Sequence, residues 1–272
     1  MALPLYDSEK TRHPIADEIF SLYRHHHLLR ELITRNIKTR YKRSVMGVAW
    51  TMLNPLLTML VLYVVFSQLF AFSLPQYLVY LLSGLVLWNF FAQSTVAAMR
   101  DLVWSGGLLQ RIFIPRALFA VAAIGTGLVN LLLALVPLVI IMLVTGAQLS
   151  PAILFLPVSL TIACMFALGV GLGLSALAVF FADIVDMYQI LLLAWMYLTP
   201  IFYPIDILAP KYTWLITANP MYYILECFRA PIYLGILPDG NIFIKAIIAA
   251  TVSMLLGSWL FARKSDEFSY YL

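Results

Sequence analysis

Six long runs of apolar residues divide this chain, and they restrict its fold more than any other feature. A helix needs about 20 largely apolar residues to cross the hydrocarbon core of a bilayer, and five of the runs are that long or longer. Only 11% of the residues are charged, against about 25% in soluble domains, so most of the surface must face lipid. The sequence therefore predicts an all-α integral membrane protein with six transmembrane helices. The predicted spans are Val48–Phe72, Tyr77–Met99, Ala117–Thr145, Ala152–Phe181, Met187–Tyr203 and Asn241–Ala262.

The fifth run is short for a full crossing, and residues 204–240 after it are amphipathic and broken by prolines. Backbone that is not helical persists at membrane depth only where protein or a wet cavity shields it. We therefore expect two short re-entrant or interfacial helices in this outer segment, separated near Asn219 and Pro220. Glu226 and Arg229 are three residues apart on the second helix, and we expect a local ion pair that lowers the cost of burying both charges.

Lysine and arginine are distributed unequally between the two ends of the predicted spans. Nine of the 17 lie in residues 1–47, three in the loop at 100–116 and two in the tail at 263–272. The opposite side carries Lys211, Arg229 and Lys245. Because positively charged loops remain in the cytoplasm, both termini are expected there. The predicted parts are a cytoplasmic N-terminal segment (1–47), a transmembrane domain (48–262) and a cytoplasmic tail (263–272).

A basic segment immediately precedes the first span. Each lysine or arginine near an anionic inner leaflet contributes about 1 kcal/mol of membrane attraction, so this segment fixes the cytoplasmic side. Apolar residues recur before and within it at helical spacing, which predicts an amphipathic helix lying in the interface plane. Gly47 is expected to allow the turn into the span. Since the segment runs directly into the membrane, we expect no nucleic-acid partner. The basic residues are Lys38, Arg40, Lys42 and Arg43, and the apolar ones are Leu28, Leu29, Leu32, Ile33 and Ile37.

Motifs that would indicate catalysis or nucleotide binding are weak in this sequence. Gly169, Gly171 and Gly173 look like a phosphate loop, but they fall inside an apolar run, where small residues four apart favour close helix packing. Asp183 and Asp186 have the DxxD spacing of Mg²⁺ sites that act on prenyl diphosphates, but no second acidic cluster accompanies them. We expect them to cap the fifth helix or to pair with a basic residue. The sequence contains no GxxxxGK[ST] motif, so we expect no catalytic residue, no metal site and no cofactor in this chain.

Four segments, in this order along the chain, resemble the transmembrane subunit of type-2 ATP-binding-cassette exporters. The resemblance is to the branch that moves lipid-linked O-antigen, capsular polysaccharide or teichoic acid. The segments are "LLRELITRNIKTRYKRSVMGVAWTMLNPLL" leading into the first span, "LQRIFIPRALF" between the second and third, "FFADIVDMYQILLLAWMYLTPIFYPIDIL" across the fifth, and "NPMYYILECFRAPIYLG" after it.

This resemblance implies a homodimer in the bacterial cell membrane, with one ATPase subunit docked under each copy. ATP and Mg²⁺ would be bound by that partner, and a lipid-linked glycan would be the substrate. The loop around Trp104–Arg116 would contain a short coupling helix. The residues expected to couple to the ATPase are Gly106, Gly107, Leu109, Gln110, Arg111, Arg40 and Lys42. The residues expected to form an outer gate are Asn219, Pro220, Glu226 and Arg229.

Aromatic residues in the first, second and fifth spans have two interpretations. Rings with a polar edge suit sugars, which present apolar C–H faces and hydroxyl rims, and in the resembling family such residues line the polymer path. Near the interfaces, however, Tyr and Trp ordinarily form membrane belts. The candidates for the substrate path are Tyr63, Phe66, Trp88, Tyr188, Trp195 and Tyr197.

Three alternatives to polysaccharide export remain open from the sequence. The same fold could export a drug, a lipid or an antibiotic. A membrane enzyme could act on a prenyl diphosphate through Asp183 and Asp186. An ion-coupled carrier is a third class, but such carriers usually have internal repeats and ionisable groups near mid-membrane, and the sequence has no convincing repeat and no acidic residue inside the spans.

Overall fold

The computed structural model describes residues 25–42, 44, 46–70, 74–105, 114–147, 150–181, 183–205 and 209–268. Within these ranges the chain is helical and contains no strand, as the all-α prediction requires. The helices are α1 (His26–Tyr41), α2 (Ala49–Phe70), α3 (Leu74–Trp104), α4 (Ala117–Val144), α5 (Leu156–Phe180), α6 (Ile184–Leu198), α7 (Thr213–Thr217), α8 (Pro220–Arg229) and α9 (Gly240–Lys264).

Five of these helices, α2, α3, α4, α5 and α9, are long and apolar enough to cross a membrane. Six spans were predicted, and the difference lies in the fifth. Its helix, α6, has 15 residues and is about 22 Å long at 1.5 Å per residue, shorter than the roughly 30 Å of hydrocarbon in a bilayer. A sixth crossing at α6 stays a prediction.

Two predicted boundaries were wrong. The fifth span was expected to continue to Tyr203, but α6 ends at Leu198 because Pro200 follows Thr199, which takes an extended conformation (φ −99°, ψ 131°). The second span was expected to end at Met99, but α3 continues to Trp104. Its last turns include Arg100 and Asp101, whose charges ended the apolar run without ending the helix.

Glycines bring α5 and α9 into backbone contact. A Cβ atom on Gly169 would lie 2.5 Å from the Met254 nitrogen, and one on Gly257 would lie 3.0 Å from the Gly169 Cα. The Ser253 hydroxyl crosses this contact and donates to the Phe166 carbonyl at 3.1 Å. The interpretation of Gly169 as a packing residue rather than part of a phosphate loop is confirmed.

The most deeply buried helix is α3, which packs against α2, α4, α5, α6 and α8. In its most apolar stretch of 18 residues, 72% of the residues are buried. Close approach to α4 is possible because Ser94 lies directly on Gly127, where any side chain larger than hydrogen would overlap it. The apolar side chains of α3 are therefore buried within the subunit, away from lipid.

The N-terminal helix α1 packs on the bundle. Leu32 is buried, and Ile33 contacts α4 where a Cβ on Gly125 would come within 2.7 Å of the Ile33 Cδ1. Part of the apolar face that was predicted to lie on the membrane surface packs within the bundle, since Leu28, Leu29 and Ile33 are partly buried against the same core as Leu32. Contact of α1 with the membrane surface stays a prediction. The chain then turns into α2 at Gly47, whose φ of +48° favours glycine, as expected from the sequence.

The outer segment after α6 forms two short helices with a break at Ala218 and Asn219, as predicted. Asn219 caps α8 with its side chain, and Pro220 occupies the first helical position, where its missing N–H costs least. α8 continues into a π-helical turn, Ala230–Leu234, that ends at Gly235 with a φ of +66°. The helix packs against α3, α5 and α9.

Candidate functional site

The arginine at the end of α8 is the most buried charge in the described part of the chain. Arg229 is 1% exposed, and its Nη1 donates to Glu226 at 2.9 Å and to the Pro200 carbonyl at 3.0 Å. Its guanidinium lies 3.8 Å from the ring centroid of Tyr80. The predicted Glu226–Arg229 ion pair is confirmed, and the cation additionally holds α8 against α3 and the end of α6.

Space for this arginine comes from Gly84 on α3. A Cβ on Gly84 would lie 2.7 Å from the Arg229 Nη2 and 3.1 Å from Ile201. Nη2 and Nε have no hydrogen-bond partner among the described residues. The face of the guanidinium is stabilised by Tyr80 through a cation–π contact, which is strongest when water is excluded.

The segment that follows α6 is irregular, and side chains satisfy its carbonyl groups. The single hydroxyl proton of Tyr80 on α3 is shared between the carbonyls of Pro200 at 2.9 Å and Tyr203 at 2.7 Å, and Tyr77 donates to that of Phe202 at 2.9 Å. Irregular backbone is tolerated at membrane depth only when its polar groups are paired in this way. Two tyrosines one helical turn apart thus fix the end of α6 to α3.

Asn219 joins α6 to α8 with every polar atom of its side chain. Its Oδ1 accepts from the Met221 backbone at 3.0 Å and from the Trp195 indole at 2.8 Å. Its Nδ2 donates to the Thr199 hydroxyl at 2.9 Å and to the Leu198 carbonyl at 3.3 Å. A buried amide that is satisfied so fully specifies one arrangement of its neighbours.

Three of the predicted substrate-path residues come together inside the subunit. The Trp195 ring packs edge-on against Trp88 at 6.3 Å and against Phe91 at 5.2 Å. Tyr188 is buried, and its hydroxyl is 2.9 Å from that of Thr95 on α3. Trp88 and Tyr188 are each only 4% exposed, so they contribute to the core of the described subunit.

The other three path candidates lie nearer the surface. Tyr63 on α2 is half-buried beside Tyr77, with 6.4 Å between the ring centroids, and Phe66 stacks on Phe202 at 6.5 Å. Tyr197 is 58% exposed and contacts Phe202 from the other side. Phe202 therefore joins the aromatic side chains of α2 and α6, and the role of all six residues in substrate transport stays a prediction.

Most of the predicted coupling residues, Gly106, Gly107, Leu109, Gln110 and Arg111, lie outside the described residues. Arg40 and Lys42 lie at the end of α1, and both are exposed. Arg40 donates to Gln93 on α3 at 2.8 Å. Two further bonds hold α1 in place, from Asn36 to Asp101 at 3.2 Å and from Tyr41 to Asn130 at 3.0 Å.

The DxxD pair lies at the start of α6. Asp183 is the N-cap residue, but its side chain makes no capping hydrogen bond, and Asp186 lies in the first turn. Instead, the Asp186 carboxylate accepts from Gln189 at 3.3 Å. The expected side-chain cap is therefore absent, and what remains is the favourable interaction of the two negative charges with the positive end of the helix dipole.

Sequence reasoning missed Tyr77, Tyr80 and Gly84, which hold α3 against α8 and the segment after α6. A usable signal existed in the spacing, because Tyr77, Tyr80 and Gly84 recur at three and four residues and so share one face of α3. Their partners are more than 100 residues away in the sequence, so the spacing indicates the shared face of α3 but not what that face contacts.

Residues 27–233 match a protein family described as ABC-2 type transporter. Two similar proteins are each called O-antigen export system permease protein RfbA. The chain is 26% identical over 250 residues to the one from Myxococcus xanthus, covering 91% of this chain and 96% of the relative. It is 26% identical over 246 residues to one from Klebsiella pneumoniae, covering 90% of this chain and 95% of the relative.

Proposed function

Because this chain belongs to the family of ABC-2 type transporters, we propose that it is the permease subunit of an ATP-driven exporter of lipid-linked polysaccharide. The observation that carries this proposal is similarity over nearly the whole length of relatives named as O-antigen export permeases. A lipid-linked O-antigen-like glycan, capsular polysaccharide or teichoic acid is the proposed substrate. The chain is a multi-pass protein of the inner membrane.

The energy for export comes from a separate ATP-binding-cassette subunit that binds ATP and Mg²⁺. The sequence of this chain has no phosphate-binding loop of the kind that holds ATP. The proposed contact consists of the loop at 106–111 together with Arg40 and Lys42, which are exposed at the end of α1. An ATPase that pushes on α1 also moves α3 and α4, because Arg40 and Tyr41 are hydrogen-bonded to both.

Two copies of the chain form the export path between them. Only 11% of the α2 membrane span is buried within the subunit, and its exposed residues include the polar Thr58. Polar side chains in a membrane span usually face protein or a water-filled cavity. This supports a second copy, or the substrate, on that face of α2, with Tyr63 and Tyr197 close enough to the surface to contact a sugar.

The outer gate consists of Asn219, Pro220, Glu226 and Arg229, on a re-entrant α8. This proposal is supported by the contacts of α8 with the membrane-spanning helices α3, α5 and α9 and by the satisfied carbonyls beside it. Both termini are proposed to be cytoplasmic, so that α7 and α8 lie on the outer side.

Complementation tests this function. A strain lacking the gene should accumulate lipid-linked glycan inside the cell and lose it from the surface, and the intact gene should restore surface glycan only when the partner ATPase is active. A chain in which both Asp183 and Asp186 are changed to Ala should complement equally well, since no phosphate chemistry is assigned to them. Normal surface glycan in the deletion strain, with altered drug or antibiotic resistance instead, would refute polysaccharide export.

A further inference from the structure

A polar cleft lies between α1, α2, α3 and α4, and no role assigned above uses it. It consists of two adjoining cavities of about 260 and 240 Å³ that share Arg40, Gln93 and Asn130. Along α3 the cleft extends from Asp101, near the cytoplasmic end, to Asn89 at the middle of the helix. The two cavities together have the size of a small-molecule site.

Five side-chain amides lie among the hydroxyl and apolar side chains that line this cleft. The five amides are Asn36, Asn54, Asn89, Gln93 and Asn130. Each amide offers two N–H donors and a carbonyl acceptor, and hydroxyls of Thr39 and Thr126 lie among them. One cation, Arg40, and one anion, Asp101, are the charged groups of the lining, so the cleft is polar without a strong net charge.

Holding α1 in place accounts for only part of this polarity. Asn36, Gln93 and Asn130 each bond across the α1 contact through one atom, which leaves N–H groups of Gln93 and Asn130 available. Asn89 makes no side-chain hydrogen bond within the described part of the chain. The Ser94 hydroxyl, on a residue only 1% exposed, also has no partner there. Polar groups without partners at membrane depth are costly and usually functional.

We propose that this cleft binds the sugar next to the lipid carrier of the exported glycan, before the polymer enters the path between subunits. Amides that donate and accept together match the neighbouring hydroxyls of a sugar ring. At the mouth, Trp50 and Tyr41 offer aromatic faces to the apolar C–H side of such a ring. The inference rests on the proposed function and specifies where that substrate is first held.

A phosphate group is a poorer match for the same lining. Phosphate recognition uses several cationic or backbone N–H donors, whereas Arg40 is already hydrogen-bonded to Gln93 and shares the cleft with the Asp101 carboxylate.

Thiol protection in the complete transporter tests the proposal. Asn89→Cys is introduced into a chain with Cys164→Ala and Cys227→Ala, and the complex with its ATPase is placed in lipid nanodiscs. Undecaprenyl-diphosphate-linked N-acetylglucosamine should slow maleimide labelling at position 89, whereas undecaprenyl diphosphate alone should not. The matched control is Asn241→Cys, at an exposed position in the first turn of α9 on the proposed outer side. It should be labelled at the same rate with either compound. Asn89→Leu and Gln93→Leu should each weaken binding of the glycolipid about threefold to tenfold.

Two results would overturn the inference. Equal protection by undecaprenyl diphosphate would assign the cleft to the phosphate, and absence of protection by the glycolipid would remove the site. ATP hydrolysis by the same complex shows whether only the cleft assignment fails or the proposed function fails as well. If the glycolipid stimulates hydrolysis without protecting position 89, export of lipid-linked glycan stands and only the cleft assignment fails.

Discussion

Arg229 shows how one buried side chain can hold several elements of the subunit together. A buried cation is tolerated only when neighbouring groups form favourable contacts with its charge. Here the groups that contact Arg229 belong to α8 itself, to α3 and to the irregular segment after α6. Removing the guanidinium would leave Glu226 without this donor, whereas the Pro200 carbonyl would keep its bond from the Tyr80 hydroxyl. Hydrogen bonds to charged groups contribute about 1.5–3 kcal/mol each, so Arg229 is expected to contribute substantially to the stability of the fold.

We predict that Arg229→Met lowers the free energy of unfolding by about 2–4 kcal/mol, because it removes a charge-assisted hydrogen bond and the contact with Tyr80. Arg229→Lys should be intermediate, since an ammonium cannot reach Glu226 and Pro200 while stacking on the ring. The measurement is loss of monodisperse protein on heating in detergent. A Met variant as stable as the unchanged chain would show that the buried guanidinium is not structural.

The sequence revealed one of the contacts of this arginine and not the others. Glu226 is three positions away, so helical geometry alone predicts the ion pair. Pro200 and Tyr80 are 29 and 149 positions away, and only the packing of three helices brings them to the guanidinium. The same limit applies to Asn219, whose capping of α8 follows from an Asn-Pro pair, but whose bond to the Trp195 indole does not.

At the level of elements, the contact between α5 and α9 depends on glycine at two specific positions. In lipid, helices gain little from burying apolar surface and associate through close packing instead. Gly169 and Gly257 lie at the closest point of the crossing, whereas a Cβ on Gly173 would be 3.5 Å from the Gly257 Cα, an ordinary contact. Gly169 and Gly173, which the sequence presents as an equivalent pair of small residues four apart, therefore differ in importance.

We predict that Gly257→Ala lowers the amount of assembled protein in the membrane, because the added methyl overlaps the Gly169 carbonyl and overpacking costs about 1–3 kcal/mol. Gly173→Ala is the matched control. It should be neutral or stabilising by up to about 1 kcal/mol, since alanine favours helix over glycine. Membrane levels and heat stability of the two variants measure this difference, and equal loss in both would contradict the packing argument.

The ends of the helices were the least predictable part of the fold. Hydropathy treats the run from Met187 to Tyr203 as continuous, although Pro200 ends the helix at Leu198 for steric reasons. The opposite error occurred in α3, where Arg100 and Asp101 ended the apolar run but not the helix. Asp101 remains helical at the end of the span because Asn36 on α1 donates to it, a partner that the sequence of α3 does not reveal.

At the level of the whole molecule, the topology rests on charge. The 17 lysines and arginines of the sequence lie mostly in segments assigned to one side, and an inside excess of positive charge sets orientation. The broad architecture and the transporter family were predictable, because composition and the order of segments report on the entire chain. The cleft between α1, α2, α3 and α4 was not predictable, because the amides that line it come from four different helices.

We predict that Thr213→Cys and Asn241→Cys, in a chain without Cys164 and Cys227, react with a membrane-impermeant maleimide added to spheroplasts. Both positions lie on the proposed outer side: Thr213 is the first residue of α7, and Asn241 is in the first turn of α9. Ser265→Cys, after the last helix, should react only once the membrane is opened. Labelling of position 265 in intact spheroplasts would reverse the assigned orientation.

The tyrosine bonds at the end of α6 have a mechanical consequence. Tyr77, Tyr80 and Arg229 tie α3, α6 and α8 to one short stretch of backbone, so these three elements are stiff with respect to each other. By contrast, α2 has few buried residues and is connected to α1 through Gly47. When the ATPase acts on the proposed cytoplasmic end, we therefore expect α2 to change its orientation most. The helices α3, α6 and α8 are expected to move together as one rigid unit.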